Sequence, residues 1–248
     1  MAALPLQREI DYPESDGRPL GETDWHRREI VDLIYALEKR YEDIPDVYVS
    51  GNLLMYYVEG DNSKSLCPDV FLVEGVAKED RPIYKVWEEG KGPSLVIEMA
   101  SKTTWENDLN DLDGKMEKYG RIGVAEYFLF DPLDIYLHPR LQGFRLLGGR
   151  YHSIPAAVDG SLVSQVSGLR LQLEGERLRL VDLASGKKLL RATEEGEARE
   201  AAEAARDAAE AARLAAEAAR EAAEARARAA EEEILRLRRE LAERLRND

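Results

Sequence analysis

Apolar positions first recur at helical spacing beyond residue 24. Ile30, Ile34, Leu37 and Tyr41 fall on one face, Asp24 is the expected N-cap, and Pro45 ends the run. The preceding stretch, through GETDWHRREI, is polar and reads as a surface segment. The pattern then turns strand-like. Residues 47–58, VYVSGNLLMYYV, predict a strand pair or one long bent strand, with Gly51-Asn52 as turn or bulge. Val70-Phe71-Leu72-Val73 follows Pro68-Asp69, and Leu95-Val96-Ile97-Glu98-Met99 is a second almost unbroken apolar run. Such runs suit strands covered on both faces. A helix over 104–121, with Leu109, Leu112, Met116 and Tyr119 on one side, leads past Gly123 to a third strand at 125–130. Strand, helix and strand at this spacing predict a right-handed crossover. Shorter alternating strands follow Asp131-Pro132, with hairpins around Gly148-Gly149 and Glu174-Gly175. The expected architecture is α/β: a mixed sheet core flanked by helices, with an antiparallel extension.

Beyond residue 190 the pattern changes in kind. Residues 203–230 are four heptads, EAARDAA, EAARLAA, EAAREAA and EARARAA. Alanine is the best helix former, and Glu and Arg three or four residues apart pair along the surface. A long helix over 191–248 is therefore expected beside a domain over 1–190. Alanine buries little at a coiled-coil seam, so self-association is expected where larger residues enter, at Ile234, Leu237, Leu241 and Leu245. The tail is accordingly read as a homo-oligomer clamp or a spacer.

Charge narrows the partners. The chain carries 35 basic and 49 acidic residues, a balance of −14. The tail, with 12 arginines against 16 carboxylates, accounts for −4 of it. Neither part would be held on nucleic acid by bulk electrostatics, so such contact needs a local basic patch or bound cations. With Cys67 as the only cysteine, neither an internal disulfide nor a cysteine-based zinc site can form. The opening MAALPLQREI lacks the apolar core of a signal peptide, and no stretch reaches the roughly 20 apolar residues of a membrane span. A cytoplasmic protein with no membrane partner is expected.

Two acids stand out against this background. Asp69 opens one core strand and Glu98 lies near the end of another. A carboxylate among apolar strand residues is costly to bury without a partner. Two acids converging from neighbouring strands suit a hard cation such as Mg²⁺, which takes one or two carboxylates plus water and a substrate phosphate. The plain alternative is a pair of solvated strand ends.

The segments CPDVFLV, SLVIEMASKTT and DLNDLDGKMEKYGRIGVAEYFLFDP, in that order, resemble the PD-(D/E)xK restriction-endonuclease-like superfamily. More narrowly, they are similar to the bacterial Uma-two (Uma2) family of endonucleases. The likeness extends from about Glu9 to Leu190 and includes YPESDG and ETDWH. It implies a four-stranded mixed sheet core and Mg²⁺-dependent (or Mn²⁺-dependent) hydrolysis of phosphodiester bonds in nucleic acid, with DNA the expected substrate. By match to the motif, Asp69 is the aspartate of the PD element and Glu98 the acid of the second element, the pair that would hold the metal and polarise the phosphate.

The motif's lysine is missing: two residues beyond Glu98 stands Ala100. Two lysines are candidates to replace it. Lys102 keeps to the same face if the strand continues. Lys115 lies on the following helix, where Asp108, Lys115 and Tyr119 share a side. Of the two, Lys115 is preferred. His26 could add a ligand or a general base but is expected to cap or pack. Glu29 could approach the site but is expected to face solvent. Tyr119 is expected to pack, as are Trp87 and Trp105, which could instead stack on a base. The chain thus reads as a metal-dependent endonuclease. The alternative is an inactive nuclease-fold module used for binding or assembly through its tail.

Overall fold

The computed structural model describes residues 10–15, 17, 23–101 and 114–247, with side chains described as far as residue 239. It divides into two compact units, 1–192 and 193–248.

Helix α1 (Asp24–Arg40) opens the first unit. Its N-cap is Thr23, whose hydroxyl accepts from the His26 amide, so the expected cap at Asp24 is corrected by one residue. Asp24 lies in the first turn and pairs with Arg27, where a carboxylate also meets the positive end of the helix.

The main sheet has six strands in the order β1 (Val47–Ser50), β4 (Val70–Glu74), β6 (Leu95–Met99), β7 (Glu126–Phe130), β8 (Leu141–Leu147) and β9 (Arg150–Ser153). Only the β6–β7 pair is parallel, so the sheet is mixed and two strands wider than the expected core. Helix α3 (Lys115–Arg121) precedes β7, and residues 102–113, including the first ten positions of the helix expected over 104–121, lie outside the described residues. Between β1 and β6 a small sheet joins β2 (Met55–Tyr56) to β3 (Ser65–Leu66) and β5 (Tyr84–Lys85), the last leading into the single turn α2 (Val86–Glu89). The antiparallel extension is a separate meander of β10 (Leu162–Ser164), β11 (Leu169–Glu174) and β12 (Arg177–Asp182).

Alternate residues of each central strand enter two different cores, which is why the strands read as unbroken apolar runs. Val70, Leu72, Leu95, Ile97, Phe128 and Phe130 pack with Ile30, Leu33 and Leu37 of α1 and with Leu169, Leu171, Leu178 and Leu180 of the meander. Phe71, Val73, Val96, Tyr127 and Leu129 form the other core, with Tyr48, Tyr84 and Tyr119. Glu29 is a correction to the sequence reading. It is buried, accepting from the Arg177 guanidinium at 3.0 Å and from the Leu178 amide at 2.7 Å, while Asp32 takes a second arm of Arg177. The α1 face that carries these acids meets the arginine of β12, so pairing replaces hydration.

The second unit is helix α4 (Ala192–Asn247), 56 residues and therefore about 84 Å of rise. Arg220 and Glu224 pair along it at i,i+4 spacing. No helix among the described residues is long and apolar enough to cross a membrane.

Candidate active site

Pairing between β4 and β6 decides where the two acids meet. The antiparallel register runs Leu72↔Leu95, Phe71↔Val96, Val70↔Ile97, and its next step sets Asp69 opposite Glu98. Residues directly opposite in such a pair share a face. By strand alternation that face is the one occupied by Phe71, Val96 and Tyr119. Asp69 lies just before its strand, with Pro68 ahead of it. The Pro68 carbonyl accepts from the Asn52 amide, bringing Gly51 so close that a Cβ there would lie 2.1 Å from the Asp69 carbonyl oxygen. Glycine at 51 is thus dictated by close backbone approach rather than by a turn alone.

Asp69 Oδ2 accepts from the Met99 amide at 2.7 Å and lies 3.4 Å from His26 Nε2. Burial would raise its pKa, but the His26 contact, the Lys115 charge and the Met99 amide together hold it below the ordinary carboxyl value. Asp69 is therefore ionised at neutral pH. Glu98, only 2% exposed, accepts from Lys115 Nζ at 3.0 Å on one oxygen and from the Tyr119 hydroxyl at 2.5 Å on the other. Here burial prevails. Loss of hydration, aided by the Asp69 charge and opposed by Lys115 and Tyr119, raises its pKa to about 8. Two carboxylates side by side are thus pushed in opposite directions.

Helix α3 supplies the cation. Lys115 is its first residue and Tyr119 lies four further on, so both point from one side of the helix onto Glu98. The Tyr119 ring packs 5.3 Å from that of Tyr127, which fixes the hydroxyl at the carboxylate. Of the residues singled out in the sequence, Asp69, Glu98 and Lys115 come together. Lys102, Trp105 and Asp108 lie outside the described residues. Two contacts differ from expectation: His26 reaches Asp69 rather than only capping its helix, and Tyr119 is both core and hydrogen-bond donor to Glu98. The i,i+4 relation between Lys115 and Tyr119 was a usable signal for the second. No local pattern announced the first, because 43 residues separate His26 from Asp69.

Among the described residues no group of three or more His, Cys, Asp and Glu side chains is gathered into a metal cage. Two carboxylates that leave most positions to water and phosphate nevertheless fit Mg²⁺, which keeps much of its hydration shell. Their all-oxygen character suits the same class of hard cation.

Residues 2–181 match the family described as Uma2, putative restriction endonuclease. The chain belongs to the Uma2 family. The match spans α1 and nearly all of the strands through β12, and α4 lies beyond it. Membership makes the first unit a restriction-endonuclease-like nuclease fold, with nucleic acid as the class of substrate. No curated protein matches the chain. A solved structure, described as a putative nuclease belonging to DUF820 from Anabaena variabilis, is 13% identical, with 59% of this chain and 76% of that chain covered and a TM-score of 0.43.

Proposed function

We propose that this Uma2 chain is a divalent-metal-dependent endonuclease that hydrolyses phosphodiester bonds in DNA. The observation that carries the reading is the meeting of Asp69, Glu98 and Lys115 on one face of the sheet. Asp69 and Glu98 would hold Mg²⁺ or Mn²⁺. When bound, the ion supplies Lewis-acid polarisation of the phosphate and a lowered pKa for a coordinated water.

The chain's own groups do the rest. Asp69 presents an ionised oxygen whose orientation the Met99 amide fixes. Tyr119 positions Glu98 through its second oxygen. Lys115, with its ammonium already at Glu98, stands where it can stabilise negative charge developing on the phosphate oxygens. It takes the part that the motif gives to a lysine at position 100, where this chain has alanine. His26 Nε2 faces Asp69 and is a group through which a proton can be exchanged beside the site.

The test is direct. Full-length protein with Mg²⁺ or Mn²⁺ should nick plasmid DNA, and Asp69→Asn or Glu98→Gln should lower the rate about a thousand-fold. Cleavage that survives either substitution would refute the assigned site.

We further propose that α4 joins two copies of the chain through its last turns. Ile234, Leu235 and Leu237 are all exposed large apolar residues there, in contrast to the alanines before them. Ile234→Glu with Leu237→Glu in the full chain should halve the mass seen by light scattering and leave plasmid nicking unchanged. An unchanged mass would exclude the clamp.

A further inference from the structure

A second feature of the α3 side of the molecule is positive, in a chain whose balance is −14. A cleft of about 410 Å³ opens between α3 and the β2–β3 hairpin, lined by Tyr57, Val58, Lys64, Lys118, Arg121 and Ile122. Three of these six are cations and none is an acid. Three acids, Glu59, Asp61 and Glu117, stand on the bordering segments, and none lines the cleft. Glu117 holds Arg121 through its guanidinium at 2.6 Å, and Asp61 accepts from the Ser63 amide and hydroxyl. Among the described residues neither Lys64 nor Lys118 makes a side-chain ion pair. A chain selected only for solubility would not gather three cations around one concavity while its surface is acidic elsewhere. Like charges drawn together cost energy unless an anion is to lie between them.

The cleft is also placed by the helix. Lys115, Lys118 and Ile122 follow one another at spacings of three and four residues, so the row that begins at Glu98 runs on into the cleft. Lys118 rises about 5 Å beyond Lys115 along the axis, and Ile122 about 10 Å. A strand with one phosphate beside Lys115 would therefore carry its neighbouring phosphates past Lys118 and Arg121.

We propose that this cleft is a subsite for a backbone phosphate of a polynucleotide strand, next to the phosphate that is cut. The inference rests on the reading of Asp69 and Glu98 as the hydrolytic site and adds to it the direction in which the strand leaves: along α3 toward the β2–β3 hairpin. Lys64 and Lys118 act as point charges on phosphate, whereas Arg121, held by Glu117, presents an oriented fork. Contacts of this kind position a strand without reading its sequence.

The experiment uses the full chain carrying Asp69→Asn, which should not hydrolyse DNA, and a fluorescent oligonucleotide followed by anisotropy over a range of salt concentrations. Adding Lys64→Glu and Lys118→Glu should weaken binding at least ten-fold at low salt. It should also lower the slope of log affinity against log salt by about two, one for each phosphate that is no longer neutralised. Lys64→Arg with Lys118→Arg in place of the two glutamates should keep most of the affinity and the salt slope, which a merely steric or packing role for the lysines would not predict. In the otherwise unaltered chain, the double charge reversal should raise KM for DNA and leave hydrolysis of bis(p-nitrophenyl) phosphate unchanged, since that small diester fills only the cutting position. Unchanged affinity and salt slope would overturn the subsite. So would a double charge reversal that abolishes inorganic phosphate binding while leaving oligonucleotide affinity unchanged, since the cleft would then be a small-anion site outside the path of the strand. Failure of the hydrolytic reading has a separate signature: neither DNA nor the small diester is cut with Mn²⁺, while the oligonucleotide still binds in a lysine-dependent way.

Discussion

Glu98 and Glu126 lie on adjacent parallel strands, are 2% and 1% exposed, and would be indistinguishable by burial. They sit toward opposite ends of that strand pair, since Glu126 is level with Leu95 and Glu98 is level with Leu129. Their surroundings differ in one decisive way. Glu126 accepts from the Arg145 guanidinium, the Ser164 hydroxyl and the Gln165 amide, so its charge is met by a fixed fork backed by two neutral donors. Among the described residues Glu98 has two donors, Lys115 and Tyr119, and beside it lies a second carboxylate that raises its pKa further. The first arrangement is a finished tie between the main sheet and the meander. The second sets two carboxylates against one ammonium, so that Glu98 keeps a proton unless a cation takes its place, as expected of a site completed by a cation from outside.

Swapping the two carboxylates for neutral groups is the strongest way to break this comparison. Glu98→Gln should remove about a thousand-fold of the hydrolytic rate and leave the fold intact. Glu126→Ala should instead cost about 3 kcal/mol of stability, because Arg145 loses its partner in a buried pair. Chemical denaturation and plasmid nicking on both variants read the two effects. If Glu126→Ala abolished cleavage in a protein that stayed folded, the division between tie and site would be wrong.

Tyr119→Phe gives a smaller effect of the same origin. Removing one hydrogen bond to a charged group should lower the rate about ten-fold. It should also push the Glu98 pKa further upward, moving the acid limb of the pH–rate profile to higher pH. A rate loss without that movement would make Tyr119 a packing residue only.

The last effect is read on stability against pH. Glu98 has its pKa raised from 4.5 to about 8, so its carboxyl binds a proton more tightly in the folded chain than in the unfolded one. Stability should then fall as pH rises from about 4.5 to about 8 and level off above that. Asp69 works in the other sense, since its lowered pKa contributes stability that is lost only as pH falls below the ordinary carboxyl range. Melting temperatures between pH 5 and 9 without metal should therefore decline in the native chain and decline less in Glu98→Gln. Calorimetry at pH 7 in buffers of different ionisation enthalpy should show a proton released as Mn²⁺ binds.

Much of the fold was written in local pattern. The apolar runs around Val70, Ile97 and Phe128 betrayed strands with two covered faces, and the glycines at 148–149 and 175 marked the hairpins. Asp69 and Glu98 stood out because each borders or breaks such a run, whereas Lys115 stood out only through the resemblance and its helical spacing to Tyr119. What the chain concealed depends on long loops. His26 meets Asp69 across 43 residues, and Glu29 meets Arg177 across 148. A buried acid looks the same in sequence whether it serves a tie or a site, since partners such as Arg145 and Ser164 come from other strands.

The register between β4 and β6 has one more consequence. A slip of a single residue in that pairing would turn Asp69 toward the α1 face while Glu98 kept its own, because side chains alternate. Neither acid alone could then assemble the site. A mispaired or half-folded chain would lack the proposed site, so correct strand pairing is itself a condition for the proposed hydrolysis.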